Sequence, residues 1–415
     1  MNYNLSQQRT IDAIDDNMVI KAPAGSGKTS CIIGVIHKYH EDHPQDKVVA
    51  ITFTRKAAGE LQERMNLCGV EVSTIHSWSY RRLQILSGEY GFDINLLEDD
   101  VIKDILKKLC KLRRQYYLNQ FQLFSYVMGN YNIDVDDKIK RVFETIRSDY
   151  IKYKRKNQFY DFTDLPQYLY DKLLDYDERI VDIDALFVDE FQDVDPVQLE
   201  IFKLVDAKKK VYIGDPQQSI YQFRGAVEEV FENLNNFVEY NLDINYRSYQ
   251  EIVDYASTVY DAAKESNQDD EILNICDITY YNKSSIICER GNGGLIYIID
   301  QLGCCTEIVN DRQHSDSLIL KSLIPAVGTQ ILCRSNRQVK KLQAMGIENV
   351  STIHQAKGLE YTTVILVDFP IDGDEERNIA YVGMTRAKNI LCVVDFDVLM
   401  CIVCQEEINT NKKLF

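Results

Sequence analysis

The sequence has no uninterrupted apolar run that approaches the roughly 20 residues needed to cross a bilayer. Its first residues, MNYNLSQQRT, lack the basic and apolar blocks of a secretory signal peptide. It also has no repeat of fixed period and no extended low-complexity segment. These absences predict a cytoplasmic protein that does not engage a membrane.

The cysteines do not form the pattern of a disulfide framework. There are eleven, an odd number, and they are scattered from Cys31 to Cys404. A reducing cytosol fits this distribution better than an oxidising compartment. A single C-x-x-C occurs at 401–404, and four other cysteines are irregularly spaced: Cys276, Cys288, Cys304 and Cys305. We interpret these residues as small buried hydrophobes rather than as metal ligands.

The net charge of −17 over 415 residues argues at first against a nucleic-acid partner. Its distribution changes that interpretation. Between Lys103 and Lys156 there are fourteen Lys or Arg and six Asp or Glu, a balance of +8, so the rest of the chain carries −25. Aromatic residues are interleaved with these charges: Tyr116, Tyr117, Phe121, Phe124, Tyr126 and Tyr131. The segment is either a phosphate-binding surface or a helical subdomain with a solvated basic face and an aromatic core.

Short apolar runs alternate with helical patterns along most of the chain. MVIKA, KVVAITF and VEVSTIH are typical of strands, and helices are expected to begin at Lys28 and Arg55. This alternation predicts an α/β fold with a parallel sheet covered on both faces. The alternation stops between Gly88 and Phe159, which we predict to be largely helical. ALFVDE and KKVYIGD resume the first sheet, and a second alternating block begins near Val238 with VEYNLDI.

Residues 22–30, APAGSGKTS, lie between an apolar strand pattern and a helical pattern. In that context glycines let backbone N–H groups close around phosphate oxygens. Lys28 would reach the β- and γ-phosphates of a nucleotide, and the Thr29 hydroxyl would ligate Mg²⁺. Ala22 stands where the strict pattern has glycine, so the loop is a variant of the pattern.

A second acidic motif, LFVDEFQD, follows another predicted buried strand. Asp189 would hold Mg²⁺ and Glu190 would polarise the attacking water. Together with the phosphate loop, these carboxylates predict ATP hydrolysis with Mg²⁺ as the metal.

An ordered set of motifs extends over almost the whole chain and resembles the motif set of UvrD/Rep/PcrA-type superfamily 1 helicases. The matching strings are APAGSGKT, ITFTRKAAGELQERM, STIHSW, VDEFQDVDPVQLE, VYIGDPQQSIYQFRGA, LDINYRS, STIHQAKGLEYTTVIL and NIAYVGMTRAKNIL. The resemblance implies two RecA-like parallel-sheet domains in tandem, as in P-loop NTPases, with a helical insertion in the first.

The resemblance also implies domain boundaries. The first RecA-like domain, 1A, would comprise 1–87 and 160–236, interrupted by the basic helical insertion 1B at 88–159. The second, 2A, would comprise 237–415. Relatives carry a large helical insertion, 2B, ahead of the STIHQAKG motif, but here only AMGIENV separates that motif from the preceding helix pattern. We therefore expect 2B to be absent or reduced to a loop.

By the same resemblance, most of the ATP site is assigned residue by residue. The nucleotide would be bound by Gln8, Ala22, Gly25, Ser26, Gly27, Lys28, Thr29, Tyr246 and Glu360, with Tyr246 stacked on the base and Glu360 near the ribose. Gln218 would sense the γ-phosphate. Arg247 and Arg386 would reach it from the second domain, as planar guanidinium groups that stabilise charge on phosphoryl oxygens. LSQQR is one residue shorter than the family's pattern, so Gln7 is the alternative to Gln8.

The resemblance implies a track for single-stranded DNA as well. Its expected residues are Phe53, Thr54, His76, Tyr221 and Phe223, with backbone contacts from Arg64, Thr352 and His354. Phe223 replaces the family's usual Trp, which keeps a π-face but loses the N–H donor. Ordinary core packing is the alternative for Phe53 and Tyr221.

Taken together, the motifs predict an ATP-dependent translocase on single-stranded DNA that acts as a helicase, 3′ to 5′ by family resemblance, with single strands and single-/double-strand junctions as substrates. A nuclease or a replication factor is a possible protein partner. The alternative function is a DNA-stimulated ATPase that serves as the sensor or regulatory subunit of a larger complex. An RNA helicase is a weaker third interpretation.

Overall fold

The computed structural model describes residues 3–13, 17–65, 67, 69–129, 135–220, 230–231, 234, 236–248, 250–261, 295–299, 324–368, 373–394, 396 and 399–400. The described residues form two compact units. Unit 1 is drawn from 1–22, 28–216 and 221–242. Unit 2 is drawn from 23–27, 217–220 and 243–415.

Unit 1 contains a six-stranded sheet in which every neighbouring pair of strands is parallel. The strand order is β3-β2-β4-β5-β1-β6. The strands are β1 Met18–Lys21, β2 Val48–Thr52, β3 Val70–Thr74, β4 Ala185–Val188, β5 Lys209–Gly214 and β6 Val238–Asn241. The sequence placed the last of these in the second alternating block. Instead, β6 pairs with β1 in register Met18 to Val238, because an apolar period of two does not specify which sheet a strand joins.

Both faces of the central strands of this sheet are buried, as the predicted parallel architecture requires, whereas β6 at one edge is mostly exposed. Alternate residues of β2 and β4 enter different apolar clusters: Val49 and Leu186 pack on one face, and Val48 and Phe187 pack on the other. The covering helices are α1 Leu5–Asp12, α2 Lys28–Asp42, α3 Arg55–Met65, α4 Ile75–Tyr90, α8 Leu165–Asp175 and α9 Pro196–Leu204. Such two-sided burial explains why the strands appear in the sequence as continuous apolar runs.

Local sequence signals explain where several of these helices begin and end. Asn4 caps α1 through a hydrogen bond from Gln7 N to its side chain at 2.7 Å. Asp195 caps α9, whose first residue is a proline with its φ already suited to a helix. Helix α4 ends at Gly91, which adopts the left-handed conformation with φ 70°.

Between α4 and α8, three helices build a separate apolar core. They are α5 Asp99–Leu112, α6 Gln120–Val127 and α7 Asp137–Asn157. The core includes Leu106, Leu123 and Phe143. Of the interleaved aromatic residues, only Tyr126 is fully buried here, Phe124 is half-buried, and Tyr131 lies outside the described residues.

Unit 2 contains a five-stranded parallel sheet in the order β7-β11-β10-β8-β9. Its strands are β7 Leu295–Ile299, β8 Thr329–Cys333, β9 Val350–Thr352, β10 Tyr361–Val367 and β11 Ala387–Val394. Its helices are α10 Gln250–Asp261, α11 Asn336–Ala344, α12 Ile353–Ala356 and α13 Asp374–Met384. The prediction of two parallel-sheet α/β units in one chain is confirmed.

Two features of the described residues bear on function. Only residues 345–349 join α11 to β9. This is the place where the short spacing between sequence motifs predicted that a large insertion is absent or reduced to a loop. Among the described helices, none combines the length and apolarity required to cross a membrane.

Candidate functional site

The carboxyl ends of the unit 1 strands meet at one edge of the sheet because all the strands are parallel. The phosphate-loop sequence follows β1, and α2 begins at Lys28. Asp189 and Glu190 follow β4 directly. Ligands of open α/β sheets bind at this edge, beyond the strand ends.

The loop lysine and the second acidic residue form an ion pair in unit 1. Lys28 Nζ lies 2.5 Å from Glu190 Oε2, and both side chains are mostly buried. Burial alone would lower the pKa of Lys28, but Glu190, Asp189 and Asp215 outweigh it and raise the pKa. Lys28 is therefore held as a cation beside a carboxylate.

Asp189 has the environment expected of a buried metal ligand. Burial first, and the charge of Glu190 second, raise the pKa of Asp189 to about 6, while Lys28 opposes the shift. Asp189 Oδ1 accepts a hydrogen bond from Glu190 N at 2.9 Å. A carboxylate and the Thr29 hydroxyl are the hard oxygen donors that Mg²⁺ prefers, so the chemistry of this donor set fits the ion.

The position of Glu190 is fixed by a strained backbone conformation and by a hydrogen bond from a glutamine. Its φ of 54° and ψ of 42° place a non-glycine residue in the left-handed region, which costs on the order of 1–3 kcal/mol. Gln192 Nε2 donates to Glu190 Oε2 at 2.7 Å, and Gln192 Oε1 accepts from Asp215 N at 3.0 Å. A Cβ on Gly214 would lie 2.2 Å from Gln192 Oε1, so only glycine leaves room for this bridge. The Asp-Glu turn is thus tied to the end of β5.

Unit 2 contains Pro23–Gly27 together with the residues after Leu242. Tyr246 N donates to Gly25 O at 2.8 Å, and Asn245 Nδ2 donates to Ala24 O at 2.6 Å. Gly25 has φ +73°, and a Cβ there would lie 2.7 Å from Arg247 Cβ. Glycine at position 25 therefore serves both the turn of the loop and the close approach of the NYRS segment.

The two candidate arginines have different partners within unit 2. Arg386 is 1% exposed, and its Nη2 donates to Gln218 Oε1 at 3.1 Å. Arg247 Nε lies 3.0 Å from Glu360 Oε2, and Lys388 pairs with the other oxygen of that carboxylate. Lys388 first, and then Arg247, lower the pKa of Glu360. Glu360 is therefore a charged partner of the predicted arginine finger.

The candidate base-binding residues have distinct environments. Tyr246 is 58% exposed, as a stacking platform requires. Gln8 is exposed, and its Nε2 donates to Asp12 Oδ1 at 2.9 Å. Gln7 is buried in the capping box of α1, where its side chain accepts from Asn4 N at 3.2 Å. Buried Ala22 and Ser26 flank the turn of the loop.

The candidate residues of unit 1 for binding single-stranded DNA lie after β2 and β3. Phe53 is half-buried, and Thr54 Oγ1 accepts from Ala57 N at the start of α3. His76 stacks on Phe162 with ring centroids 5.1 Å apart. Burial lowers the pKa of His76 to about 4, against the opposing charge of Asp161. His76 is therefore neutral near pH 7.

The remaining candidates are placed as follows. Arg64 Nη2 donates to Ser30 Oγ at 3.0 Å, beside the first turn of α2. In unit 2, buried Thr352 caps α12 through a bond from Gln355 N at 3.3 Å, and His354 lies in the same helix. Tyr221 and Phe223 lie outside the described residues, as do Cys276, Cys288, Cys304, Cys305 and residues 401–404.

Sequence reasoning missed three residues that organise these groups: Gln192, Asn245 and Lys388. Gln192 and Asn245 stand inside the quoted strings VDEFQD and LDINYRS, so their motifs carried the available signal. Lys388 also stands inside a quoted string, NIAYVGMTRAKNIL, but it lies in a strand, where a single lysine has no distinguishing pattern. In the part of the chain that the structure describes, no cluster of three or more potential metal-ligating His, Cys, Asp or Glu side chains occurs.

Comparison with known proteins shows relatives of two lengths. The chain is 31% identical to the ATP-dependent DNA helicase Rep of Buchnera aphidicola subsp. Baizongia pistaciae over 62% of this chain and 43% of that protein. It is 26% identical to a probable DNA helicase of Mycoplasma pneumoniae over 96% of this chain and 84% of that protein. It is 22% identical to the Gabija protein GajB of Bacillus cereus over 91% and 92%. The chain spans only 40–45% of the length of the longer relatives.

Two domain families match the chain in order. Residues 345–396 match the UvrD-like helicase C-terminal domain. Residues 3–239, more than half of the chain, match the UvrD/REP helicase N-terminal domain. The chain therefore belongs to the UvrD/REP helicase family.

Proposed function

We propose that this protein is an ATP-dependent motor that moves along single-stranded DNA and unwinds duplex DNA at single-/double-strand junctions. The observation that carries the proposal is the ion pair between Lys28 and Glu190 beside buried Asp189, at the carboxyl edge of a parallel sheet. This arrangement combines a phosphate-binding cation, a metal-binding carboxylate and a general base. Membership in the UvrD/REP helicase family and the name of the Rep relative support ATP and DNA as its ligands.

The chemistry assigned to the chain's residues is phosphoryl transfer from ATP to water. Entry of the γ-phosphate draws Lys28 away from Glu190, which frees the carboxylate to orient and deprotonate water. Thr29 and Asp189 would hold Mg²⁺, which neutralises charge on the phosphate oxygens when it is bound. Gln192 keeps Glu190 aligned through its 2.7 Å hydrogen bond.

The guanidinium groups supply the charge that the transition state requires. Arg247 and Arg386 are proposed to stabilise the phosphoryl oxygens, with Gln218 reporting the γ-phosphate through its bond to Arg386. Tyr246 would stack on the base, with Gln8 or Gln7 reading its edge, and Glu360 holds Arg247 until ATP binds. Because the catalytic set completes only around ATP, hydrolysis can drive a change between two conformations.

The proposed DNA track comprises residues that follow strand ends. Phe53, His76, Tyr221 and Phe223 would stack on bases, which is tolerant of sequence. Thr54, Arg64, Thr352 and His354 would contact the backbone. The direction 3′ to 5′ rests on the family resemblance, as do the domain boundaries 1–87, 88–159, 160–236 and 237–415.

A second candidate function is a DNA-stimulated ATPase that acts as the sensor or regulatory subunit of a complex with a nuclease or replication factor. It is supported by the five-residue link 345–349 between α11 and β9, where the 2B insertion is expected to be absent or reduced to a loop. The GajB relative also matches over 91% of this chain and 92% of its own length.

Three assays on the full chain distinguish these functions. ATP hydrolysis should rise with added oligo(dT), and a streptavidin block on one DNA end should be displaced when the motor runs toward it. A forked duplex tests unwinding. Displacement together with unwinding supports the motor. DNA-stimulated hydrolysis without displacement at either end supports the sensor, and hydrolysis indifferent to DNA contradicts both. Lys28→Ala is the inactive control, and Lys203→Ala is the matched surface control.

A further inference from the structure

An exposed aromatic and basic patch lies where α5 meets α6. We define this tip patch by four apolar side chains, Leu112, Tyr116, Tyr117 and Phe121, which are 79%, 72%, 67% and 79% exposed. They fall within ten residues of sequence. Single exposed apolar residues are ordinary, but a contiguous group of large ones marks an interaction site.

The exposure of these rings does not result from a missing apolar core in the insertion. The helical insertion has its own apolar cluster, filled by Leu106, Leu118, Leu123 and Tyr126 among others. Leu118 is buried, although it lies in the sequence between the exposed Tyr117 and the exposed Phe121. Tyr116, one residue earlier, is exposed as well. The chain therefore separates the residues that anchor this connection from those that it presents to solvent.

The connection that carries the tip patch is held in place. Arg113 pairs with Asp149 of α7 through two bonds, at 2.8 and 3.0 Å. Gln115 N donates to Cys110 O at 2.8 Å, and the Asn119 side chain caps α6. A held connection loses little conformational entropy when it binds a partner, so the exposed rings are pre-organised.

The charged residues in the sequence around the rings are of one sign. No Asp or Glu occurs between Asp104 and Asp134, whereas Lys107, Lys108, Lys111, Arg113 and Arg114 all lie in that interval. Lys107 pairs with Asp104 and Arg113 with Asp149. Within the described residues, no ion pair joins Lys108, Lys111 or Arg114 to a carboxylate, and all three are exposed.

The combination selects a ligand with unpaired planar groups and regularly spaced anions. Aromatic rings stack on bases only where the bases are not already stacked inside a duplex, and lysine and arginine bind the phosphates between them. A single-stranded nucleic acid meets both requirements. We propose that the tip patch is a second binding surface for single-stranded nucleic acid, separate from the residues assigned to the motor track and independent of ATP.

The test measures binding of the full chain to fluorescent oligo(dT) of about 10 and about 40 nucleotides without ATP, by anisotropy. The probe variant is Tyr116→Ala/Tyr117→Ala/Phe121→Ala. The control variant, Leu174→Ala/Val181→Ala, removes apolar side chains that are also exposed in unit 1. The probe should weaken binding of the long oligonucleotide at least tenfold, because stacking strengthens binding by about that factor per base. The short oligonucleotide can be bound by the motor track alone, so its binding should change less than twofold.

A second variant tests the charge. Lys108→Gln/Lys111→Gln should reduce the slope of log affinity against log salt for the long oligonucleotide by about 1.4, which is about 0.7 for each lost phosphate contact. Unchanged binding of the long oligonucleotide by the ring variant would overturn the proposal. An equal loss on blunt duplex DNA would assign the patch to duplex instead. A change confined to oligomeric state, measured by light scattering, would assign it to a protein interface.

The outcomes separate this inference from the proposed motor. If short oligo(dT) stimulates hydrolysis equally in the wild type and the ring variant while long-oligonucleotide binding falls, both hold. If hydrolysis ignores DNA but long-oligonucleotide binding still depends on the rings, the motor assignment fails and the tip patch stands.

Discussion

Gln192 Nε2 donates a hydrogen bond to Glu190 Oε2 at 2.7 Å, and the same side chain accepts from the backbone of Asp215. The proposed catalytic base is therefore oriented by a buried amide that also joins the ends of β4 and β5. Glu190 sits in the left-handed backbone region, which persists only where its surroundings hold it. Gln192 is such a support, and its role can be separated from that of Glu190.

Gln192→Ala should lower kcat for ATP hydrolysis about tenfold with little change in KM, because Glu190 loses its orientation while the phosphate contacts remain. It should also lower the free energy of unfolding by about 1–3 kcal/mol, since Asp215 N loses a buried acceptor. Gln192→Glu is the informative comparison. It keeps the acceptor but places a carboxyl beside Glu190, so the pH optimum of kcat should move upward. A loss of stability with an unchanged pH profile would make Gln192 structural only.

Glu190→Gln should bind ATP with nearly unchanged affinity and hydrolyse it roughly 10²- to 10⁴-fold more slowly, because the amide cannot accept a proton from water. Single-turnover hydrolysis and binding of a fluorescent ATP analogue measure the two effects separately. Glu200→Gln, a partly exposed glutamate paired with Lys203, is the matched control and should retain full activity. Full DNA-stimulated hydrolysis in Glu190→Gln would assign the base elsewhere.

Arg247→Ala should lower kcat by roughly 10³-fold or more, since a guanidinium that stabilises transition-state charge contributes on that scale.

Its partner Glu360 yields the sharper experiment. If Glu360 acts by holding Arg247, as the 3.0 Å pair suggests, Glu360→Gln should change kcat. If it binds the ribose, the variant should raise KM for ATP and reduce discrimination against dATP. Arg337→Ala controls for removal of an arginine from unit 2.

The sequence predicted the architecture more completely than the site. Continuous apolar runs such as Val48–Thr52 indicated buried parallel strands, and glycine with Lys28 and Thr29 marked the turn after β1. Period alone could not assign β6 to the first sheet, because strand pairing depends on contacts distant in sequence.

The pairing of site residues depends on the same distant contacts. Position 360 and position 247 lie 113 residues apart, so an acid predicted near a ribose emerged as the partner of an arginine only in three dimensions. For the aromatic residues of the insertion, the sequence identified the residues but not which of them are buried. Their interleaving with basic residues left two interpretations open, and burial separates Tyr126 in the core from Tyr116 and Tyr117 at the surface.

His76 should make stability depend on acid pH. Its folded-state pKa of about 4 lies below its ordinary value of 6.5, so between these values the unfolded chain binds more protons than the folded one. The stabilising contribution is complete above pH 6.5 and is lost as pH falls toward 4. His76→Gln should flatten this dependence by roughly 2 kcal/mol between pH 7 and pH 4.5, allowing for partial exposure of the ring. Urea unfolding at several pH values measures it, with His37→Gln as control. Equal slopes in wild type and His76→Gln would refute the assignment.

Lys154 should be among the most costly residues to replace in unit 1. Its Nζ pairs with Asp161 at 2.6 Å and Asp164 at 2.5 Å, and Asp161 is fully buried. Lys154→Met leaves two carboxylates without their cation, so the free energy of unfolding should fall by about 3–5 kcal/mol. Adding Asp161→Asn and Asp164→Asn removes the uncompensated charges and should recover more than half of that loss. Lys208→Met breaks pairs made by an exposed lysine, so it should reduce stability far less than Lys154→Met. Denaturant unfolding followed by circular dichroism compares the variants, and a triple variant no more stable than Lys154→Met would show that packing, rather than charge, sets the cost.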